Sequence, residues 1–285
     1  MTARIQLLLA ALLFSTGGAA VKATILTNWQ VAGLRSAIAA VVLWLFSPGI
    51  GRLSWRAWLV GLAYGVTLVT FVTANKLTTA ANAVFLQAAA PLYLLVAGPW
   101  LGERVRRADL PFVLAIAVGL VLLFTAGGAA SATAPNRPLG NLIGAMSGVT
   151  WAVTIAGLRW VEGHRAEGVT AAGATVCGNV LAALVCLPFA LPLSHARLTD
   201  WLTVSYLGVF QVGLAYVLVT RAIGHLTALE ASLLLLLEPA SSPFWAWLAH
   251  GERPGALALA GGAIIVGATT MRSFRRAAPR DGDRS

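Results

Sequence analysis

Apolar residues in this chain run in long stretches separated by short polar breaks. A membrane-crossing helix takes about 20 apolar residues, and ten such stretches are present: Ile5–Ala23, Trp29–Phe46, Trp55–Ala74, Thr79–Leu101, Leu110–Ala126, Leu139–Leu158, Thr170–Leu191, Trp201–Thr220, Thr227–Ala249 and Gly255–Met271. The breaks hold turn formers and helix stops, among them Ser47-Pro48-Gly49, Gly127-Gly128, Pro135-Asn136-Arg137-Pro138 and Arg253-Pro254-Gly255. The pattern predicts an all-α integral membrane protein with ten transmembrane helices. Arg4, the apolar run behind it and the small residues around Ala20–Ala23 have the form of a signal peptide. The run is nevertheless read as a retained first helix, because only then do two equal halves of five result.

A duplication supports that division. Thr79-Ala80-Ala81-Asn82-Ala83-Val84-Phe85-Leu86, leading to Pro91 and Gly102-Glu103-Arg104, returns as Thr227-Ala228-Leu229-Glu230-Ala231-Ser232-Leu233-Leu234, leading to Pro239 and Gly251-Glu252-Arg253. The offset is 148 residues up to the proline and 149 at the Gly-Glu-Arg. Five helices is an odd number, so the second copy enters the membrane from the opposite side, which gives two inverted five-helix repeats. The expected organisation is a first repeat over residues 1–127, a linker over 128–138, a second repeat over 139–272 and a basic tail over 273–285. With the N-terminus inside, alternate loops hold 14 basic residues on the inner side and 5 on the outer. Both termini are therefore expected to be cytoplasmic in a bacterial inner membrane, with the tail against the anionic leaflet.

Composition agrees. Hydrophobic residues make up 58% of the chain and charged ones 11%, with mean hydropathy +0.80, whereas soluble domains carry about 25% charged residues. The surface must face lipid. The net charge of +10 is scattered over short loops, so no nucleic-acid partner is expected. His164, His195, His225 and His250 fall in or near different loops, and no zinc-protease, Cys-x-x-Cys, P-loop, GxSxG or GxGxxG pattern occurs. Neither an enzyme nor a metal or other cofactor is expected. Cys177 and Cys186 share one apolar run on opposite helix faces and cannot pair.

Candidate functional residues are the polar groups and prolines inside the apolar runs. Pro91 and Pro239 occupy matched positions, and each would free a carbonyl, of Gln87 and Leu235 respectively, toward a midplane cavity. Glu238 is a mid-membrane carboxylate: a candidate proton carrier or counter-charge, or else a structural partner for an arginine or a helix terminus. Glu230 lies toward the inner mouth and reads first as structural; its counterpart Asn82, together with Gln87, is a candidate substrate ligand or helix bridge. Arg35 is a candidate carboxylate ligand or internal ion-pair partner, with outward snorkelling the equal alternative. Lys22 reads as an interfacial anchor first and a cavity residue second. Trp151, Trp245, Trp247 and Tyr93 lie deep and read singly as core packing, though they could stack on substrate. Glu103 and Glu252 read as gating or structural elements. Ala115/Gly119 and Ala263/Gly267 form matched small-residue seams.

The arginine in helix two, Pro91 with Gly102-Glu103, and Pro239 with Gly251-Glu252-Arg253 resemble the drug/metabolite transporter superfamily, EamA type, over essentially the whole chain. The run Leu233–Leu237 leading to Glu238-Pro239 carries most of that resemblance. It implies secondary transport, usually efflux of amino acids, related metabolites or toxic compounds, around a cavity lined mainly by helices one, three, four, six, eight and nine. Proton or other ion coupling fits this reading, and a homodimer is an arrangement open to it. Uptake, a lipid flippase and a non-transporting membrane protein are the alternatives.

Overall fold

The computed structural model describes residues 2–47, 49–97, 109–126, 131–222 and 234–277. Among them the chain is helical, with no strand; isolated bridges pair Gly51 with Val169 and Ser131 with Ala134. In chain order the helices are α1 (Ala3–Lys22), α2 (Asn28–Phe46), α3 (Trp55–Leu77), α4 (Ala80–Gln87, resuming as Ala90–Ala97), α5 (Leu110–Thr125), α6 (Arg137–Glu162), α7 (Ala171–Ala190), α8 (Leu198–Ala222), α9 (Leu237–His250) and α10 (Ala256–Ala277). Six of these, α1, α2, α3, α6, α7 and α8, are long and apolar enough to cross a membrane. Their ends follow side-chain chemistry. Thr27, Thr79 and Thr170 accept the backbone N–H of Gln30, Asn82 and Gly173, and Gly251, at φ +63°, terminates α9.

Among the described residues, three helices are interrupted. Helix α1 turns at Thr16, whose hydroxyl bonds back to the Leu13 carbonyl and across to Tyr206 Oη at 2.9 Å. Helix α4 breaks at Ala88-Ala89, and α9 starts after a turn at Leu236. The expected kink at each proline is thus displaced: the break precedes it, and Pro91 and Pro239 fall in the first turn of the following segment. There a missing N–H removes no helical hydrogen bond. Gly148 of α6 makes room for the α4 break, since a Cβ there would lie 2.7 Å from the Leu86 carbonyl oxygen. In α8, residues Leu207–Leu214 form a π-helical turn.

Helix α3 packs chiefly on α6 and α7, α2 on α7 and α8, α1 on α8 and α9, and α5 on α10. Glycines allow the close approaches. A Cβ on Gly61 would lie 2.7 Å from Cys177 Cβ, and one on Gly178 would lie 2.7 Å from the Gly61 oxygen. Gly208 and Gly213 bring α8 against Ile38 and Val42 of α2 in the same way. The α5–α10 seam pairs Gly119 with Gly261. That corrects the sequence expectation for α10, because Ala263 is exposed and Gly267 faces open space; α10 meets Gly119 through the face that carries Gly261 and Ile265. Leu114, Val118 and Val121 on α5 and Leu184 and Leu187 on α7 are exposed, as a lipid-facing surface requires.

Candidate functional site

Deep inside the bundle, α1, α2, α3, α4, α6, α8 and α9 converge on a cavity of about 80 Å³. Its lining is Phe14, Arg35, Tyr64, Thr67, Leu68, Phe71, Gln87, Trp151, Gln211, Val212, Tyr216 and Glu238. Four sequence candidates, Arg35, Gln87, Trp151 and Glu238, therefore share one space although they come from four helices.

Arg35 is 1% exposed. It does not snorkel, and the interfacial alternative is corrected: the α2 face that carries it turns inward against α3 and α8. Its Nη2 donates to the Leu68 carbonyl at 3.0 Å and its Nη1 to Gln211 Oε1 at 3.4 Å, while Nε has no hydrogen-bond partner. A guanidinium carries five N–H donors, so most of its donor capacity stays uncommitted. Glu238 stands in the first turn of α9. Among the described residues no cation lies within ion-pair distance of it, and no carboxylate lies within that distance of Arg35. The cavity thus holds one positive and one negative group that do not neutralise each other.

Aromatic rings form much of the remaining wall. Tyr216 packs edge-on against both Tyr64 and Phe14, with centroids 5.2 Å apart in each pair. Gln87 lines the cavity from the last turn before the α4 break and donates to Ser147 Oγ of α6 at 3.0 Å. Thr67 Oγ1 donates to Thr150 Oγ1 at 2.9 Å, which ties α3 to α6 beside the cavity. Tyr64, Tyr216, Thr67 and Gln211 were not singled out from the sequence. Tyrosine and threonine in an apolar run look like packing residues, whereas Gln211, the one amide in helix eight, was a readable signal.

Other candidates lie elsewhere. Asn82 is off the cavity: its Nδ2 donates to Asn141 Oδ1 at 3.1 Å, so the amide bridges α4 to α6. Pro239 is buried in packing rather than on the lining. Glu103 and Glu230 lie outside the described residues, as does the side chain of Pro91. Trp247 is 47% exposed on the outside of α9, which corrects its assignment to the interior; Trp245 instead turns inward and donates to Ser15 Oγ at 2.9 Å.

Lys22 is also corrected. Its ammonium is buried, donates to the carbonyls of Thr78 (2.7 Å) and Thr133, and pairs with Glu252 Oε1 at 3.5 Å. All three of its donors are engaged. Glu252 in turn accepts the Ala80 backbone N–H at 3.0 Å, at the N-terminus of α4. This clasp draws together the ends of α1, α3, α4 and α9, and a carboxylate there also suits the positive end of α4.

Residues 138–274 match the model of the EamA-like transporter family. An uncharacterized transporter of Archaeoglobus fulgidus is 26% identical over 213 residues, which covers 73% of each chain. A protein crystal structure superposes with a TM-score of 0.64 and 26% identity, over 97% of this chain and 98% of that one. Over its second half the chain thus matches EamA-like transporters of the drug/metabolite transporter superfamily, and a helical membrane chain with a polar internal cavity, related in this way, is a membrane transporter rather than an enzyme.

Proposed function

We propose that the chain exports small zwitterionic metabolites, above all amino acids with apolar or aromatic side chains, across the bacterial inner membrane. The observation that carries this is the unpaired Arg35 and Glu238 on one aromatic-walled cavity. Unpaired charges inside a membrane are costly and mark sites where a ligand completes the pairing. In this reading Arg35 takes the substrate carboxylate, and Glu238 faces the ammonium group. Glu238 then binds a proton as the substrate leaves, so that export runs against proton entry. The rings of Phe14, Phe71, Trp151 and Tyr216 enclose the side chain. Export as the direction rests on the family resemblance.

Transport proceeds by alternating access between two inverted five-helix repeats, residues 1–127 and 139–272, with both termini cytoplasmic. Three features support this arrangement. The interruptions of α4 and α9 each precede a matched proline. Helix α1 packs on α8 and α9 as α6 packs on α3 and α4. The seam glycines Gly61 and Gly65 recur at Gly208 and Gly213. The Lys22–Glu252 clasp then closes the outer mouth.

Three probes test the substrate class in purified protein: L-phenylalanine, 3-phenylpropanoate and 2-phenylethylamine. The amino acid, which carries both charges, should bind more tightly than either single-charge analogue. Arg35→Gln should erase its advantage over the amine, and Glu238→Gln its advantage over the acid. Binding of none of the three, or equal binding of all three, would refute the zwitterion reading.

A further inference from the structure

We infer that Gln211 is the positioning residue of the anion site: it orients the Arg35 guanidinium and thereby sets the affinity for a carboxylate. The inference rests on the reading of Arg35 as the carboxylate ligand, and it comes from how the structure holds the arginine rather than from the cavity lining itself.

Arg35 has two protein acceptors, Leu68 O on Nη2 and Gln211 Oε1 on Nη1, and an unpartnered Nε. Leu68 O is a backbone atom of α3 and cannot be retuned by a side chain. Gln211 is therefore the adjustable contact. It engages one terminal nitrogen and leaves Nε without a protein partner, so the guanidinium keeps donors free for a planar carboxylate.

The surrounding backbone is shaped for this contact. Gln211 sits within the π-helical turn of α8, and π-turns recur where a helix places a side chain off its regular track. Gly208 flanks it on one side, where a Cβ would lie 2.9 Å from the Arg35 carbonyl oxygen and 2.6 Å from Ile38 Cβ. Gly213 flanks it on the other, against Val42. Together they press the Gln211 turn onto the Arg35 turn. From the opposite side the amide rests on Gly17, just after the break in α1. A Cβ on Gly17 would meet Gln211 Nε2 at 2.7 Å and Cδ at 3.0 Å. The contact to Arg35, at 3.4 Å, is near the limit for a hydrogen bond. A small displacement of Gln211 would therefore free the guanidinium to turn.

The test measures L-phenylalanine flux in proteoliposomes and its inhibition by 2-phenylethylamine, which has no carboxylate. Gln211→Leu should raise the half-saturating concentration of phenylalanine about tenfold, the worth of a lost hydrogen bond to a charged group. Maximal flux should stay within about twofold, and inhibition by the amine should not change. Gln211→Glu, which places a permanent anion on Arg35, should abolish phenylalanine binding and spare the amine. Gly17→Ala, which pushes Gln211 aside without touching Arg35, should act in the same direction as Gln211→Leu. If Gln211→Leu does not fold, Gln211→Asn and Gly17→Ala decide the matter by the same criterion. Wild-type half-saturation in these variants, with phenylalanine binding lost in Arg35→Gln, would overturn the positioning role and leave the Arg35 reading intact. Equal weakening of phenylalanine and the amine would reveal a merely structural role and also overturn it. Unchanged phenylalanine binding in Arg35→Gln would remove the reading on which the inference stands.

Discussion

The Lys22–Glu252 clasp and the central cavity both bury charge, and they do so in opposite ways. In the clasp, Lys22 and Glu252 face each other, and every ammonium donor has an acceptor. In the cavity, Arg35 keeps an unpartnered Nε, and no cation among the described residues pairs with Glu238. Burial alone therefore does not separate structural from functional charge here. The difference lies in whether the protein itself completes the pairing. Where it does, the group ties helices together; where it does not, we propose that a solute completes the pairing.

That contrast is easiest to break at the clasp, where the largest effect on stability is expected. Glu252→Ala strands a buried ammonium and should cost about 3–5 kcal/mol, read from denaturant unfolding in detergent. Lys22→Met combined with Glu252→Met should recover much of that loss, because no unpaired charge remains. A single substitution at the clasp that leaves stability unchanged would erase the distinction between the regions. Next comes Thr67→Val, beside the cavity. It removes one hydroxyl contact to Thr150, which keeps the Ser147 carbonyl as a partner, so a loss of about 1 kcal/mol is expected in the same assay. The smallest change in stability belongs to Glu238→Gln, within about 0.5 kcal/mol. Its effect should fall on function: flux in proteoliposomes should no longer follow an imposed pH difference. If Glu238→Gln destabilised the protein as strongly as Glu252→Ala, Glu238 would belong with the structural charges.

Much of this was legible in the sequence because a polar group within an apolar run stands out. Arg35, Gln87 and Glu238 are visible in that way, and Trp151 and the paired prolines follow from depth and repetition. Direction was harder. Whether Lys22 turns outward or inward depends on Glu252, and whether Asn82 faces a ligand or a neighbour depends on Asn141; both partners are remote in sequence. Gly119 was correctly placed on a helix seam, but its partner was not, since several small residues of α10 fit the same spacing. The π-turn of α8 has no residue signature, so the approach of Gln211 to Arg35 appears only in three dimensions.

The glycine seam between α3 and α7 also bears on biogenesis. Gly61 and Gly65 belong to the first half of the chain and their partner Gly178 to the second. As the chain is synthesised, α3 enters the bilayer with its glycine face covered only by lipid and acquires its protein neighbour once α7 has been inserted. The first half alone therefore lacks the partner that its α3 glycine face packs against. A chain cut in the linker should regain this packing only when both fragments are made in the same membrane.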